Sequence, residues 1–399
     1  MSKNIDLTLK LFEVQERFDR LYDSTLKRFG NKFLDLSYAN AYDGPTPVVL
    51  EAMEKALRDK RDLSFQYTPY GGSTLTRRRI ATALRAQFDL EFHFRDIVLT
   101  PGAMAALNMA FRTLVTDARH EIIVLTPCWL DYPLYLSNLD IRAVYVPLSS
   151  SKHLDLEKIS KAINTNTRAI VFSHPGCPTG VVFSTEELNE LSIILDEAEQ
   201  RHSSAIYLIS DESHRDVWWR REPFHSPMMS YDRCLSIYSF GKALFLQGQR
   251  IGYVCVSPRM KENNELRVQL VRNARAMGFC TPTNLMQRAV CDLLDYEFPG
   301  DVVAGRQKLV RDRLSEYGYE VCSAQATFFV YVKSPIPDEF AFVELLAEQG
   351  VVVLPSSLFH ESGYFRISVT ARTPDIEEHL SKFKTVLHLE QLKGAAVTA

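Results

Sequence analysis

The sequence predicts an α/β chain: a three-layer, mostly parallel sheet with a smaller α+β domain. Three observations carry this. Between about residues 97 and 256, short apolar runs alternate with helical stretches, as βαβ units require. Beyond about residue 320 the pattern changes to closely spaced strands, FFVYVKS, VVVLPSSLF and YFRISVTA, with a helix FAFVELLAEQG among them. The length, 399 residues of which 46% are hydrophobic, exceeds one compact core and sets an expectation of about two domains. The division expected is a large domain over 45–295, with 1–44 and 296–399 together making the small one.

Residues 4–30 read as an amphipathic helix with Leu7, Leu11, Val14, Phe18 and Leu21 on one stripe. Packing against the body of the protein is its ordinary role; a lid or a clasp on a second subunit is the alternative. LDLSYANAYDGPTPVVLEAMEKAL gives a short strand, a loop broken by Gly44, Pro45 and Pro47, and a helix whose first turn tolerates the prolines. SFQYTPYGGSTLTRRRIATAL is an aromatic, glycine-rich loop entering a basic helix, and Arg77–Arg79 read as a solvated face.

FRDIVLTPGAMAAL is a strand, a turn at Pro101-Gly102 and a helix from about Ala103, whose first N–H groups make an anion site. EIIVLTP leads to CWLDYPLYL, which sets Trp129 and Tyr132 just past a strand end, where ligands of open α/β sheets bind. Both are therefore candidates for stacking on a ring. IRAVYVPL, RAIVFSHPGCPTG, AIYLISDESHRDV, CLSIYSFGK and RIGYVCVSP are the strands that follow, and Ser184 or Thr185 caps the helix TEELNELSIILDEAEQ. Asp211 and Glu212 end an apolar strand, where a carboxylate needs a partner. A long helical region is expected from about Arg259 to Tyr317, then the small α+β unit with Arg366 exposed on a strand. A final helix should run to about Leu392, and GAAVTA reads as frayed.

Composition narrows the function classes. A net charge of -3 disfavours nucleic acid and anionic membranes as partners. The N-terminus lacks the apolar core of a signal peptide, and no apolar run approaches the roughly 18 residues of a membrane span. Seven cysteines without a CxxC pair favour reduced thiols and a cytoplasmic location. Ten histidines without an HExxH motif give a metal site little support.

The most telling stretch is SFGKALFLQGQRIGY. Lys242 follows Ser239 by three residues and precedes Arg250 by eight, in apolar surroundings that would lower its pKa and make its amine a nucleophile. A hydroxyl and a guanidinium nearby suit a phosphate dianion.

Taken together, these pieces resemble the fold-type I pyridoxal-phosphate enzymes, and within them the class I/II aminotransferases, from about Leu34 to Leu387. The resemblance implies that the expected sheet is the large domain of a type I pyridoxal 5'-phosphate transferase. It further implies that Lys242 forms the Schiff base with the cofactor, and that Ser239 and Arg250 bind its phosphate with backbone groups of Gly102, Ala103 and Met104. Trp129 would stack on the pyridine ring, Asp211 would pair with the ring nitrogen, and Tyr67 would reach the phosphate of a partner subunit in a homodimer. Arg366, in FRIS, matches the arginine that holds the substrate carboxylate. In that chemistry the protonated ring stores electrons from the substrate Cα, and Lys242 moves the Cα proton.

Three departures bear on the reaction. The family's NPTG turn reads CPTG, so Cys177 replaces an asparagine that serves the cofactor's phenolic oxygen and the substrate carboxylate. DESH puts His214 where a tyrosine donates to the same oxygen, and His214 is a donor or an acid-base group near neutral pH. The loop over the substrate, LSYANAYDG, carries Ala39 in place of glycine. A thiol donates weakly, so Cys177 is either a poor donor or a space-filling substitute. The first reading is an aminotransferase acting on an L-amino acid. The second keeps the cofactor but performs elimination, replacement, cyclisation or oxidation, as in capreomycidine-synthase-like enzymes. A non-enzymatic sensor of this fold would carry a DNA-binding module before it, and only about 33 residues precede the fold here. Asp131, Glu13 and Glu212 are carboxylates that could face a cationic substrate side chain.

Overall fold

The computed structural model describes the backbone of residues 3–219 and 222–398, and the side chains of 11–219 and 222–390. Its strands are β1 (Leu34–Asp35), β2 (Ile97–Thr100), β3 (Glu121–Thr126), β4 (Arg142–Pro147), β5 (Thr167–Ser173), β6 (Tyr207–Asp211), β7 (Cys234–Ser239), β8 (Gly252–Val256), β9 (Phe329–Lys333), β10 (Val351–Val352), β11 (Leu354–Pro355) and β12 (Tyr364–Ser368). β2 to β8 make one seven-stranded sheet in the order β2-β8-β7-β6-β5-β3-β4. β8 runs against both its neighbours and every other pairing in the sheet is parallel.

The apolar runs of the sequence are continuous because this sheet is covered on both faces. Successive residues point to opposite sides, so Ile123, Ile170 and Leu208 enter one core while Ile122, Val171 and Ile209 enter the other. Helices Thr74–Phe88 and Thr185–His202 contribute to the first core, Ala103–Leu114 and Asn263–Ala276 to the second. Thr185–His202 begins at Ser184, whose side chain and that of Glu187 complete a capping box.

β9, β12 and β11 form an antiparallel sheet, and β10 pairs with β1 in parallel, so residues 34–35 join the C-terminal part of the chain. A third core built on Phe329, Phe365 and Phe383 lies under it. A buried ion pair, Lys152 Nζ to Glu361 Oε1 at 2.6 Å, ties the loop after β4 to this part.

The N-terminal helix Lys3–Phe29 lies against helices Tyr132–Asn138 and Glu339–Ala347. Phe18 is its fully buried anchor, with Arg17 paired to Glu344 at 2.8 Å. It is therefore a packed element; the Leu7 side chain of its expected stripe lies outside the described residues. The helical region expected from 259 to 317 is three helices, Asn263–Ala276, Asn284–Ala289 and Gly300–Tyr317. Gly278, at φ +77°, ends the first, Thr283 caps the second after Pro282, and Pro299 precedes the third. The final helix continues through the segment expected to fray, from Thr373 to Thr398, and Ala399 lies outside the described residues. Among the described residues no helix is long and apolar enough to cross a membrane.

Candidate active site

The predicted site residues converge because most of them follow the carboxyl ends of parallel strands, along one edge of the large sheet. β2 leads to Gly102, β3 to Trp129, β5 to Cys177, β6 to Asp211 and His214, and β7 to Ser239 and Lys242. β8 is antiparallel, so its beginning lies at the same edge: Gly252 pairs with both Ser239 and Thr100, which brings Arg250 to that rim.

Gly102 and Gly252 are held by close approach. A Cβ on Gly252 would sit 2.2 Å from the Tyr238 carbonyl oxygen and 3.3 Å from Gly102 Cα. Gly102 has φ +87°, and a Cβ there would lie 2.5 Å from Arg250 Nη2. Gly102 is also the N-cap of helix Ala103–Leu114, and no side chain caps that helix. The result is a backbone N–H cluster at Ala103 and Met104 with a guanidinium alongside, which suits a phosphate. Met104 is exposed, whereas Ser239 is buried at the N-cap of the short turn Phe240–Ala243 that carries Lys242.

Lys242 is half-buried and forms no ion pair among the described residues. Burial is the main reason its pKa drops to about 8; Cys177 opposes that shift, and Arg366 and Arg250 add to it. The Asp211 carboxylate is buried and held on both oxygens. Tyr132 Oη donates to Oδ2 at 2.7 Å; the Ser213 N–H and Oγ donate to Oδ1 at 3.1 and 2.6 Å. Burial raises its pKa, and the Ser213 and Tyr132 donors work against that. Three hydrogen-bond donors hold it, and no cation lies within ion-pair distance among the described residues; Tyr132 Oη also meets Ser173 Oγ at 2.9 Å. Tyr132 is thus not a stacking residue: its ring is fully buried, edge-on to Phe111, and its hydroxyl positions Asp211.

Arg366 corrects a second expectation. It is 1% exposed rather than displayed on its strand, because β12 lies inside the small sheet and its guanidinium enters the space between the rings of Phe329, 4.0 Å away, and Phe359, 4.7 Å away. Nη2 donates to the Ser37 carbonyl at 2.7 Å and Nη1 to Cys177 Sγ at 3.8 Å, while Nε has no partner. No carboxylate neutralises it among the described residues. Cys177 is buried between Arg366 and Lys242, and burial pushes its thiol up to about 11 despite both cations.

His214 is buried against the edges of Phe328 and Phe329, with Nε2 unpartnered. Burial, then Lys242, then Arg366 hold its pKa well below the usual imidazole value. This environment disfavours its charged form, which suits a neutral hydrogen-bonding group. Ala39 is half-buried, and its carbonyl accepts from Gln247 Nε2 at 3.2 Å, which fastens its loop to the segment carrying Lys242. Trp129 is half-buried between the core of one sheet face and that of the small sheet. Tyr67 stays apart from all of these, at 99% exposure in a single chain.

Sequence reasoning missed Ser213 and Ser37 and misassigned Tyr132. Ser213 had a signal: an Asp-x-Ser spacing turns the carboxylate back onto the serine N–H and hydroxyl. The same device recurs where the Ser37 N–H donates to Asp35 Oδ1 at 2.8 Å.

A family profile, aminotransferase class I and II, matches residues 31–383. A Thermus thermophilus aspartate/prephenate aminotransferase is 27% identical over 91% of this chain and 93% of its own length. A probable aspartate aminotransferase of Methanocaldococcus jannaschii is 25% identical over 86% of this chain and 90% of the relative. Among solved structures, an aminotransferase from Eubacterium rectale superposes with a TM-score of 0.88 at 25% identity, covering 92% of this chain and 94% of that one.

Proposed function

The chain belongs to aminotransferase class I and II, and from that premise we propose that it binds pyridoxal 5'-phosphate and transfers the amino group of an L-amino acid. The observation that carries this reading is a set of charges left open toward one another: among the described residues, Lys242 and Asp211 at one edge of the large sheet and Arg366 on the small sheet each lack an ion-pair partner. Members of the family depend on this cofactor, and the cradle fits it. The N–H groups at Ala103 and Met104, with Gly102, Ser239 and Arg250, would hold the phosphate. Trp129 would lie on the ring, and Cys177 and His214 beside its phenolic oxygen. When bound, the cofactor supplies an electron sink that acidifies the substrate Cα–H.

The protein residues divide the remaining work. Asp211, fixed by Tyr132 and Ser213, keeps a proton on the ring nitrogen through charge pairing. Arg366 takes the α-carboxylate, which orients the Cα–H, and the Ala39 loop covers it. Lys242, whose pKa drops to about 8, has a far larger neutral fraction than a solvated lysine and would accept and return the Cα proton.

We further propose a homodimer in which Tyr67 reaches the partner's phosphate. Leu57, Leu63, Phe65, Tyr67, Tyr70 and Leu75 are all exposed within one short stretch, more apolar surface than a solvated loop needs. The division into 45–295 and 1–44 plus 296–399, and a cytoplasmic location, belong to the same proposal.

The test is reconstitution with the cofactor followed by borohydride, which should fix it on the peptide carrying Lys242. Incubation with amino acids, including the dicarboxylic ones for which relatives are named, should then give the keto acid and the amine form of the cofactor. A second reading, elimination, replacement, cyclisation or oxidation, is favoured by Cys177 and His214 alone. It requires the cofactor to be recovered unaminated, with free ammonia, an eliminated or exchanged group, a ring-closed product or consumed oxygen marking the reaction.

A further inference from the structure

A cavity of about 410 Å3 opens between the N-terminal helix, the start of helix Tyr132–Asn138 and the turn at 357–360. It adjoins the site at two points. Tyr38 lines it and follows Ser37, whose carbonyl accepts from Arg366; Trp129 lines it from the other side. The cavity thus lies beside the residues proposed to hold the substrate.

The walls are largely apolar, with Leu11, Leu134 and Leu358 among them, and one carboxylate, Asp131, faces in. Asp131 stands at the N-cap of its helix yet makes no capping hydrogen bond. Tyr135 Oη donates to its Oδ2 at 3.0 Å, and burial raises its pKa against the help of Tyr135 and Trp129. No cation pairs with it among the described residues. Ser357 Oγ, also on the lining, is buried without a partner. His360 is the one basic side chain on the described wall, and burial lowers its pKa, so that wall carries no positive charge at pH 7.

Two other carboxylates drop out. Glu13 is exposed, and Glu212 is fully buried and already paired with Arg215.

We infer that the cavity receives the side chain of a cationic L-amino acid: a methylene chain along the leucines, ending in an amine that donates to Asp131 and Ser357. A terminal carboxylate would meet Asp131 with like charge and find no cation. This rests on the aminotransferase reading above and names its substrate class.

Lysine, norleucine and 2-aminoadipate have similar chain lengths and differ at the far end. With the cofactor-loaded enzyme, kcat/KM for the first half-reaction should be about 10- to 100-fold higher for lysine than for norleucine, the range of a charge-assisted hydrogen bond, and lowest for 2-aminoadipate. Asp131→Asn should remove most of the lysine advantage, mainly in KM, and leave norleucine within about threefold. A merely structural Asp131 would lower both alike, which overturns the proposal. So would 2-aminoadipate reacting as well as lysine, which leaves the aminotransferase reading intact. If no amino acid converts the bound cofactor, that reading fails and the substrate class falls with it.

Discussion

Strand β6 ends in two consecutive carboxylates with opposite surroundings. Glu212 meets Arg215 Nη1 at 3.2 Å and accepts from Ser226 Oγ at 2.6 Å; Arg215 in turn donates to Tyr253 Oη at 2.9 Å and stands over the Tyr238 ring. In that cluster the carboxylate and the guanidinium pair with each other. One residue earlier and on the other face, Asp211 accepts hydrogen bonds from neutral donors, and among the described residues neither Lys242 nor Arg366 has a carboxylate within ion-pair distance. Both clusters are buried, so burial of charge does not distinguish them. What distinguishes a site from a structural network is charge that the fold orients but leaves unneutralised.

The comparison breaks most sharply at Lys242. Lys242→Ala should cut the amino-transfer rate by about 10³-fold or more, since it would remove the proposed proton acceptor and cofactor anchor, while the melting temperature of the cofactor-free protein stays equal or rises. Stopped-flow absorbance and calorimetry read the two effects. Next in size are the two arginines. Arg215→Met strands Glu212 and should cost about 3–5 kcal/mol in urea unfolding. Arg366→Met strands no carboxylate, should cost less than about half of that, and should lower kcat/KM by about 10²-fold. Equal stability losses for the two would erase the distinction.

The pH dependence follows from Lys242. Its pKa drops from 10.5 to about 8, so between those values the unfolded chain holds more protons than the folded one. Stability of the cofactor-free protein should therefore gain from this residue as pH rises from 8 to 10.5, with no such gain below 8. The rate of cofactor loading should climb with pH and level off above about 8; a climb continuing to 10.5 would mean the amine is solvated. The smallest effect concerns the phenolic oxygen of the proposed cofactor. Cys177→Asn or His214→Tyr adds a stronger donor and should lower the pH midpoint of the bound cofactor's absorbance by about one unit. An unchanged midpoint in both variants would make Cys177 and His214 bystanders.

Much of this was legible in the chain. Strand ends were visible because both faces of the large sheet are buried, which makes each strand a continuous apolar run flanked by functional residues. The burial of Arg366 was hidden because FRIS looks the same on an open strand and on one roofed by Phe329 and Phe359. The Tyr132 contact to Asp211 spans 79 positions, and local pattern carries no such information. The three helices between 263 and 317 merged into one reading because their breaks, at Gly278, Pro282 and Pro299, are short against the polar, helix-favouring sequence around them.

The contact at Gly252 has a consequence for inheritance. A glycine codon mutates by a single base only to residues that possess a Cβ, and every one would drive that atom to 2.2 Å from a backbone oxygen that cannot rotate away. No missense allele at this position should survive selection for activity, whatever the new side chain's polarity or size. A saturation library at 252 should return the parent residue alone, whereas one at 248, where a Cβ meets open space, should return nearly the full alphabet.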